Sequence, residues 1–142
     1  MNIRPKTLIT AGVLLVAIAS CGGDDSGSKS SGDQPAGVTL EGKKLVDSTG
    51  KKSVQVNAVD NSFTPQYLTV SAGTVVTFRN DGHNEHNLIP ANDGAFKPAL
   101  QADFQPKTDV KITFAKPGDY PYYCSLHATT TVGMIGGIRV VK

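Results

Sequence analysis

The sequence predicts an all-β fold, a sandwich or barrel of antiparallel strands in one domain. Several short segments alternate apolar and polar residues with the two-residue period of a half-buried strand. Groups of Gly, Pro, Asn and Asp separate these segments and favour tight turns. No segment carries a long apolar stripe at helical spacing. Short strands joined by turns, without helical crossovers, are typical of such β folds.

Each predicted strand has its own pattern. The segment at 74–80, "TVVTFRN", is rich in the β-branched and aromatic residues that favour strands. Only the segment at 96–104, "FKPALQADF", could hold a short helix. The remaining strands are predicted from residues that share one face: Val54, Val56 and Ala58; Val110, Ile112 and Phe114; Ile138 and Val140.

The segment "DYPYYC" indicates on which face of its strand the Cys124 thiol lies. Alternation places Tyr120, Tyr122 and Cys124 on the same face of a strand. If the two tyrosines face inward, the sulfur does as well. A sulfur in that position is either a packed core atom or a metal ligand.

The first 37 residues are predicted to form a targeting signal followed by a flexible tether. Arg4 and Lys6 precede an uncharged apolar run that closes on "IASC", which resembles the lipobox of bacterial lipoproteins. We expect a signal peptide at 1–20, a lipid on Cys21, and a flexible linker to residue 37 with a reach of roughly 20 to 25 Å. Ordinary secretion, with Cys21 near a cleavage site, is the alternative. Both place the protein outside the cytoplasm, and the lipid would anchor it to the bacterial membrane, on the periplasmic side or the outer surface.

The folded domain is expected at 38–142. Residues 38–52 could form an edge strand or continue the tether. Without Arg4 and Lys6, 12 basic and 12 acidic residues remain. A near-neutral chain argues against a nucleic-acid partner, which would require a basic face.

Cys124, His127 and Met134 form a chemically distinctive group. With Cys21 lipidated, Cys124 has no disulfide partner, so burial or metal binding is expected. Cys-x-x-His alone also occurs in zinc sites. Methionine is a soft ligand that suits copper, and two histidines, one cysteine and a weak axial methionine form blue-copper sites. The second histidine would be His83 or His86.

The order of the motifs indicates a family. Phe63 and Pro65, Gly73, "VTFRN" at 76–80, His86-Asn87, "KPGDYPYYC" at 116–124, His127 and Met134 follow one another as in the cupredoxins, which the chain resembles over roughly 53–142. The resemblance implies a Greek-key β-sandwich of two sheets. It also implies that His86, Cys124, His127 and Met134 bind one type 1 copper ion, and that Asn87 ties the two ligand loops together.

Two residues or intervals depart from that pattern. His83 matches no ligand position and is expected on the surface. Six residues separate His127 from Met134, a longer interval than in the plastocyanin and amicyanin branches, so "ATTTVG" is expected to form an extended ligand loop. The distance from Met134 to the ion is therefore left open.

The resemblance implies a monomeric electron-transfer protein that cycles between Cu(II) and Cu(I) and meets redox donor and acceptor proteins transiently. No small-molecule substrate and no catalysis are expected, because related copper enzymes need additional histidines and His83 is the only spare one. The expected electron-transfer surface around His127 is apolar: Leu126, Ala128, Val132 and Ile135. A copper storage, sensing or delivery lipoprotein is the alternative, and a β-sandwich adhesion module is a third interpretation.

Overall fold

Two β-sheets form the body of the protein. The computed structural model describes residues 38–128 and 132–142, which contain nine strands and one short 3-10 turn. The strands are β1 (Val46–Asp47), β2 (Ser53–Val59), β3 (Ser62–Thr64), β4 (Tyr67–Ser71), β5 (Thr74–Asn80), β6 (Ile89–Pro90), β7 (Asp109–Phe114), β8 (Gly118–Ala128) and β9 (Gly133–Val141). The 3-10 turn, Gln101–Asp103, lies in the segment predicted to hold a short helix.

The all-β, two-sheet prediction is confirmed, but both sheets are mixed. One has the strand order β1-β4-β9-β8-β6 and the other β3-β2-β5-β7. The pairs β1/β4, β2/β5 and β4/β9 are parallel, so the expectation of a wholly antiparallel fold is wrong. The chain changes sheets between β3 and β4 and again between β4 and β5. Two strands of one sheet can therefore run parallel without a helical crossover between them. The alternation of apolar and polar residues does not indicate in which direction a strand runs.

The core lies between the sheets and is built from the predicted inward faces. Val56, Ala58, Phe114, Ile138 and Val140 are buried, while Val54, Val110 and Ile112 are partly buried and pack against them. At the centre the rings of Phe63, Phe78 and Tyr122 meet edge to face, with centroids 5.0 to 6.4 Å apart. Such edge-to-face contacts stabilise the core beyond the burial of apolar area alone.

Tyr122 requires a glycine on the neighbouring strand. It lies directly opposite Gly136, where a Cβ would come 2.7 Å from the tyrosine ring. The Tyr122 hydroxyl is buried without a hydrogen-bond partner among the described residues. The ring thus fits the space above Gly136, while its hydroxyl is left unsatisfied.

Residues 38–52 belong to the folded body. β1 forms the edge of the five-stranded sheet beside β4. Leu40 is buried against Gly137, where any Cβ would overlap it, and the Lys43 ammonium lies 5.7 Å from the centre of the Tyr67 ring. Of the two alternatives for this segment, the edge strand is the one found.

The signal peptide predicted at 1–20 and the lipidated Cys21 with its linker to residue 37 lie outside the described residues. Within the part of the chain that the structure describes, no helix has the length and apolar character needed to cross a bilayer.

Candidate metal site

Three side chains with metal-binding atoms meet at one end of the sandwich. The Nδ1 atoms of His86 and His127 are 3.2 Å apart. The Cys124 sulfur lies 3.8 Å from Nδ1 of His86 and 3.6 Å from Nδ1 of His127. Among residues 38–128 and 132–142 this is the one group of three or more His, Cys, Asp or Glu side chains close enough to share an ion.

The triangle of ligand atoms has the size that a transition-metal ion requires. For metal–nitrogen bonds of about 2.0 to 2.1 Å and a metal–sulfur bond of about 2.3 Å, a trigonal site separates its nitrogens by about 3.5 Å and nitrogen from sulfur by about 3.8 Å. The observed separations are close to these values. One thiolate with two imidazoles is a ligand set of the kind that blue-copper sites use.

Cys124 and His127 meet because β8 is irregular. Side chains three residues apart on a regular strand point to opposite faces. β8 pairs with β9 at Tyr123–Ile135 and again at Ala128–Gly133, so its stretch between these pairs is three residues longer than that of β9. This bulge turns His127 toward the sulfur. β8 continues to Ala128 and places His127 near the end of the strand.

Gly133 allows the two strands to approach beside His127. It has a φ of +111°, where a Cβ is unfavourable. A Cβ at this position would also overlap the His127 carbonyl oxygen and lie 2.8 Å from Cα of Ala128. The backbone that carries His127 therefore depends on a glycine across the hairpin.

His86 comes from the segment between β5 and β6 and is fully buried. Its backbone N–H donates to the Phe104 carbonyl at 3.3 Å, and the two rings lie 6.3 Å apart. Two residues after His86, Leu88 pairs with Ala99 in an isolated bridge. His83 is exposed, in agreement with the expectation for a surface residue.

The surroundings of His86 favour the neutral form of its ring. Burial lowers its pKa below the ordinary value of 6.5, the nearby His127 ring lowers it further, and the backbone of Asp60 opposes both effects. An imidazole must be neutral to bind a metal. The pKa shift therefore favours the form of His86 that can act as a ligand at neutral pH.

Asn87 connects the two segments that supply the ligands. Its backbone N–H donates to the Cys124 sulfur at 3.4 Å. Its side-chain amide donates to Oγ of Ser125, and its Oδ1 accepts from the Ser125 N–H, both at 2.8 Å. The bond to the sulfur and the paired side-chain bonds hold Cys124 and its strand in place beside His86.

Met134 is fully buried and is the second residue of β9. The pairs Ala128–Gly133 and Tyr123–Ile135 bracket it, so it lies opposite the irregular stretch of β8. Residues 129–131, which make up half of the expected extended loop "ATTTVG", lie outside the described residues. The role of Met134 as the axial ligand stays a prediction.

Leu126 and Ala128 flank His127 in the chain, and with Val132, which directly precedes β9, they make up the apolar rim; His127 itself is half-buried. Leu126 and Val132 are 45% and 63% exposed, and Ala128 is half-buried. Ile135 is only 8% exposed, so its expected place in this surface is wrong. By that residue β9 has entered the five-stranded sheet, where Ile135 pairs with Tyr123.

Two residues that shape the site were missed from the sequence. Phe104 accepts the His86 N–H from 18 positions further along the chain, and no local pattern marks that contact. Ser125 makes two of the bonds to Asn87. Its position directly after Cys124 was the only signal that could have indicated it.

The sequence is similar to a known family of copper proteins. A family model described as a cupredoxin-like domain matches residues 27–135. A chloroplastic plastocyanin from Tetradesmus obliquus is 30% identical over 116 residues, covering 75% of this chain and 79% of the relative.

Solved structures share the fold. A copper-containing nitrite reductase from Thermus scotoductus is 30% identical with a TM-score of 0.52, and the match covers 63% of this chain but 22% of the reductase. A reduced amicyanin variant superposes with a TM-score of 0.55 at 21% identity, covering 65% of this chain and 85% of the amicyanin.

Proposed function

The chain belongs to the cupredoxin family, and on that premise we propose that it is an electron-transfer protein with one type 1 copper ion that cycles between Cu(II) and Cu(I). The observation that supports this most directly is the meeting of one sulfur and two Nδ1 atoms within 4.8 Å of one another. The donors fit copper by chemical type and by size. Copper, when bound, supplies the one-electron redox step.

The residues of the site suit such a step because they hold their positions. His86 and Cys124 are fully buried, and Asn87 joins their segments. Packed side chains and satisfied hydrogen bonds resist displacement. Ligand atoms that stay in place when the charge of the site changes lower the reorganisation that accompanies electron transfer.

The edge of His127 is the proposed route for electrons. Its ring is half-buried, whereas His86 and Cys124 are fully buried. The apolar rim of Leu126, Ala128 and Val132 would contact redox donor and acceptor proteins. Such encounters are transient and use small interfaces. We propose that the protein acts as a monomer and takes no small-molecule substrate.

An electron carrier and a copper-delivery protein can use the same ligands, and one comparison separates them. The purified full chain is loaded with Cu(II), its reduction potential and electron self-exchange rate are measured, and copper transfer to an excess of a copper chelator is followed. A carrier shows a reversible potential, fast self-exchange and slow copper loss. Rapid loss of copper without reversible cycling would contradict the electron-transfer proposal and favour storage, sensing or delivery.

The docking rim has a matched test. Leu126→Glu is expected to slow electron self-exchange because it places a charge beside His127, while the visible spectrum stays unchanged. Val46→Glu alters an equally exposed apolar residue on the edge strand β1 and serves as the control. Equal rates in the two variants would remove the rim from the proposal.

We propose no catalytic activity, even though a nitrite reductase shares the fold. His83, the one histidine outside the ligand triangle, is exposed, and no second group of ligand side chains accompanies it among the described residues. Nitrite consumption by the copper-loaded chain at a rate above that of free copper would contradict this.

We also propose that a lipid on Cys21 anchors the protein outside the cytoplasm of a bacterial cell. In the producing bacterium, Cys21→Ser should move the protein from the membrane fraction to the soluble fraction. Cys124→Ser is the control, since it alters the other cysteine and should leave the protein in the membrane fraction. A Cys21→Ser protein that has lost residues 1–20 and still remains in the membrane fraction would contradict the lipid anchor.

A further inference from the structure

Asn80 is a buried polar residue at the end of β5 that faces the His86 segment. Its side-chain amide donates to the carbonyl oxygens of Asn84 and Phe104, at 2.9 and 3.2 Å. Its Oδ1 accepts from the Gly82 N–H at 3.1 Å. Both amide hydrogens and the side-chain oxygen are therefore used.

The contact with Phe104 links Asn80 to His86. The Phe104 carbonyl accepts from the Asn80 side chain at 3.2 Å and from the His86 backbone N–H at 3.3 Å. The second acceptor, Asn84, lies two residues before His86. Asn80 thus bonds directly to the segment at Asn84 and shares the Phe104 carbonyl with the His86 N–H.

The start of the same segment is also fixed. The backbone N–H groups of Asp81 and Gly82 both donate to the Ala58 carbonyl, at 3.0 and 3.1 Å. Gly82 packs so closely that a Cβ would lie 3.1 Å from the Asp60 nitrogen. The segment is therefore anchored at its start by β2 and further along by Asn80.

We propose that Asn80 is a positioning residue that fixes where Nδ1 of His86 lies in the ligand triangle. Only an amide side chain supplies two donors to the Asn84 and Phe104 carbonyls and one acceptor to Gly82 at this length. The hydrogen bonds of Asn80 join protein atoms only, so its effect on the position of His86 can be measured without copper. Its spectroscopic readout rests on the proposed copper function.

Asn80→Asp is the sharpest test because its shape is the same. A carboxylate keeps the acceptor for Gly82 but turns an acceptor toward the Asn84 and Phe104 oxygens. Asn80→Ser is a milder variant that retains one hydroxyl donor, and it tests the proposal if the aspartate variant fails to fold.

Thr74→Val is the matched control. Thr74 and Asn80 are the first and last residues of β5, and both are buried. Oγ1 of Thr74 donates to the Lys51 carbonyl at 2.9 Å. The control removes a buried side-chain bond to a loop carbonyl at the end of the strand far from the site.

Two measurements are made on the full chain. In the apo protein, amide hydrogen exchange of His86 should accelerate about five- to tenfold in the Asn80 variants, the factor that corresponds to losing one net hydrogen bond. In the copper-loaded protein, the visible band positions and the reduction potential should shift. Thr74→Val should lower the stability of the fold, but it should change neither the amide exchange of His86 nor the visible bands and the reduction potential.

Unchanged exchange at His86, or equal acceleration in Thr74→Val, would overturn the proposal. If the unmodified chain shows no copper band, the electron-transfer proposal fails. The apo exchange measurement then decides the role of Asn80 independently.

Discussion

The three candidate ligands come from two segments that the protein holds in different ways. Cys124 and His127 lie on β8, where backbone pairing with β9 and a bulge set their positions. His86 lies between β5 and β6, in a segment held by the side chains of Asn80 and Asn87 and by the Phe104 carbonyl. The first segment depends on strand geometry, and the second on tertiary hydrogen bonds.

The comparison shows that the three side chains of the ligand triangle are positioned by two separate means. Two ligands three residues apart can be brought together by one irregularity in a strand. A third ligand from a distant segment needs contacts that fix that segment to the rest of the fold. Asn87 is where the two systems join, because it is next to His86 and bonds to Cys124 and Ser125.

Gly133→Ala breaks the strand-held segment and should have the largest effect. Its positive φ and the overlap with the His127 carbonyl should together lower the free energy of unfolding by about 2–5 kcal/mol. The blue copper absorption should weaken or disappear. Urea unfolding and a visible spectrum after copper addition measure the two effects.

Gly73→Ala is the control for that change. Gly73 also has a positive φ, of +87°, but open space where the Cβ would lie. It should cost about 1–2 kcal/mol from the backbone alone and leave the copper spectrum intact. Equal losses in the two variants would show that the close approach at Gly133 does not set the site.

Asn87→Ala cuts the connection between the two segments. Loss of its two side-chain bonds with Ser125 should reduce the free energy of unfolding by about 1–3 kcal/mol and make copper release faster. Ser125→Ala, which removes only the bond to Oγ, should have a smaller effect on both. An Asn87 variant with unchanged copper release would mean that the segments hold their positions separately.

Tyr122→Phe tests whether a buried hydroxyl on β8, outside the ligand triangle, affects the stability of the fold or the copper spectrum. The Tyr122 hydroxyl is buried without a partner among the described residues, and burial raises its pKa far above the ordinary value. Removing it should leave stability unchanged or raise it by up to about 1 kcal/mol, with no change in the copper spectrum. A clear loss of thermal stability would reveal a partner for the hydroxyl, for instance a bound water.

Asp119→Asn acts at the far end of the β8/β9 pair and should have the smallest effect. Arg139 lowers the pKa of Asp119 below 3.8 through hydrogen bonds and charge. The stabilisation is therefore present above that value and disappears as the pH falls through the lowered pKa. Because both side chains are about two-fifths exposed, the loss should be slight at pH 7 and absent at strongly acidic pH. Thermal unfolding at both pH values measures it.

The strands and the strand-held ligands could be predicted from sequence because their signals are local. Alternation indicated β2, β7, β8 and β9, and it placed Cys124 on the same face as Tyr122, which the structure shows to be buried. The identification of His86 needed the resemblance to a family, since residue spacing left His83 equally suitable. Parallel pairing could not be predicted, because alternation is the same in both strand directions.

Contacts between distant segments were also beyond the sequence. The network of Asn80, Asn84 and Phe104 spans 24 positions, and no pattern at either end specifies it. Ile135 was expected in the apolar surface around His127, but it is buried within β9, where it pairs with Tyr123.

The most direct test is a titration of the full chain with Cu(II), followed by visible absorption, in parallel with Cys124→Ser. The ligand triangle predicts an intense blue band that saturates at one equivalent and is absent from the serine variant, because a copper–thiolate bond is its source. A chain that stays colourless at saturating copper, or an equally blue serine variant, would contradict the account.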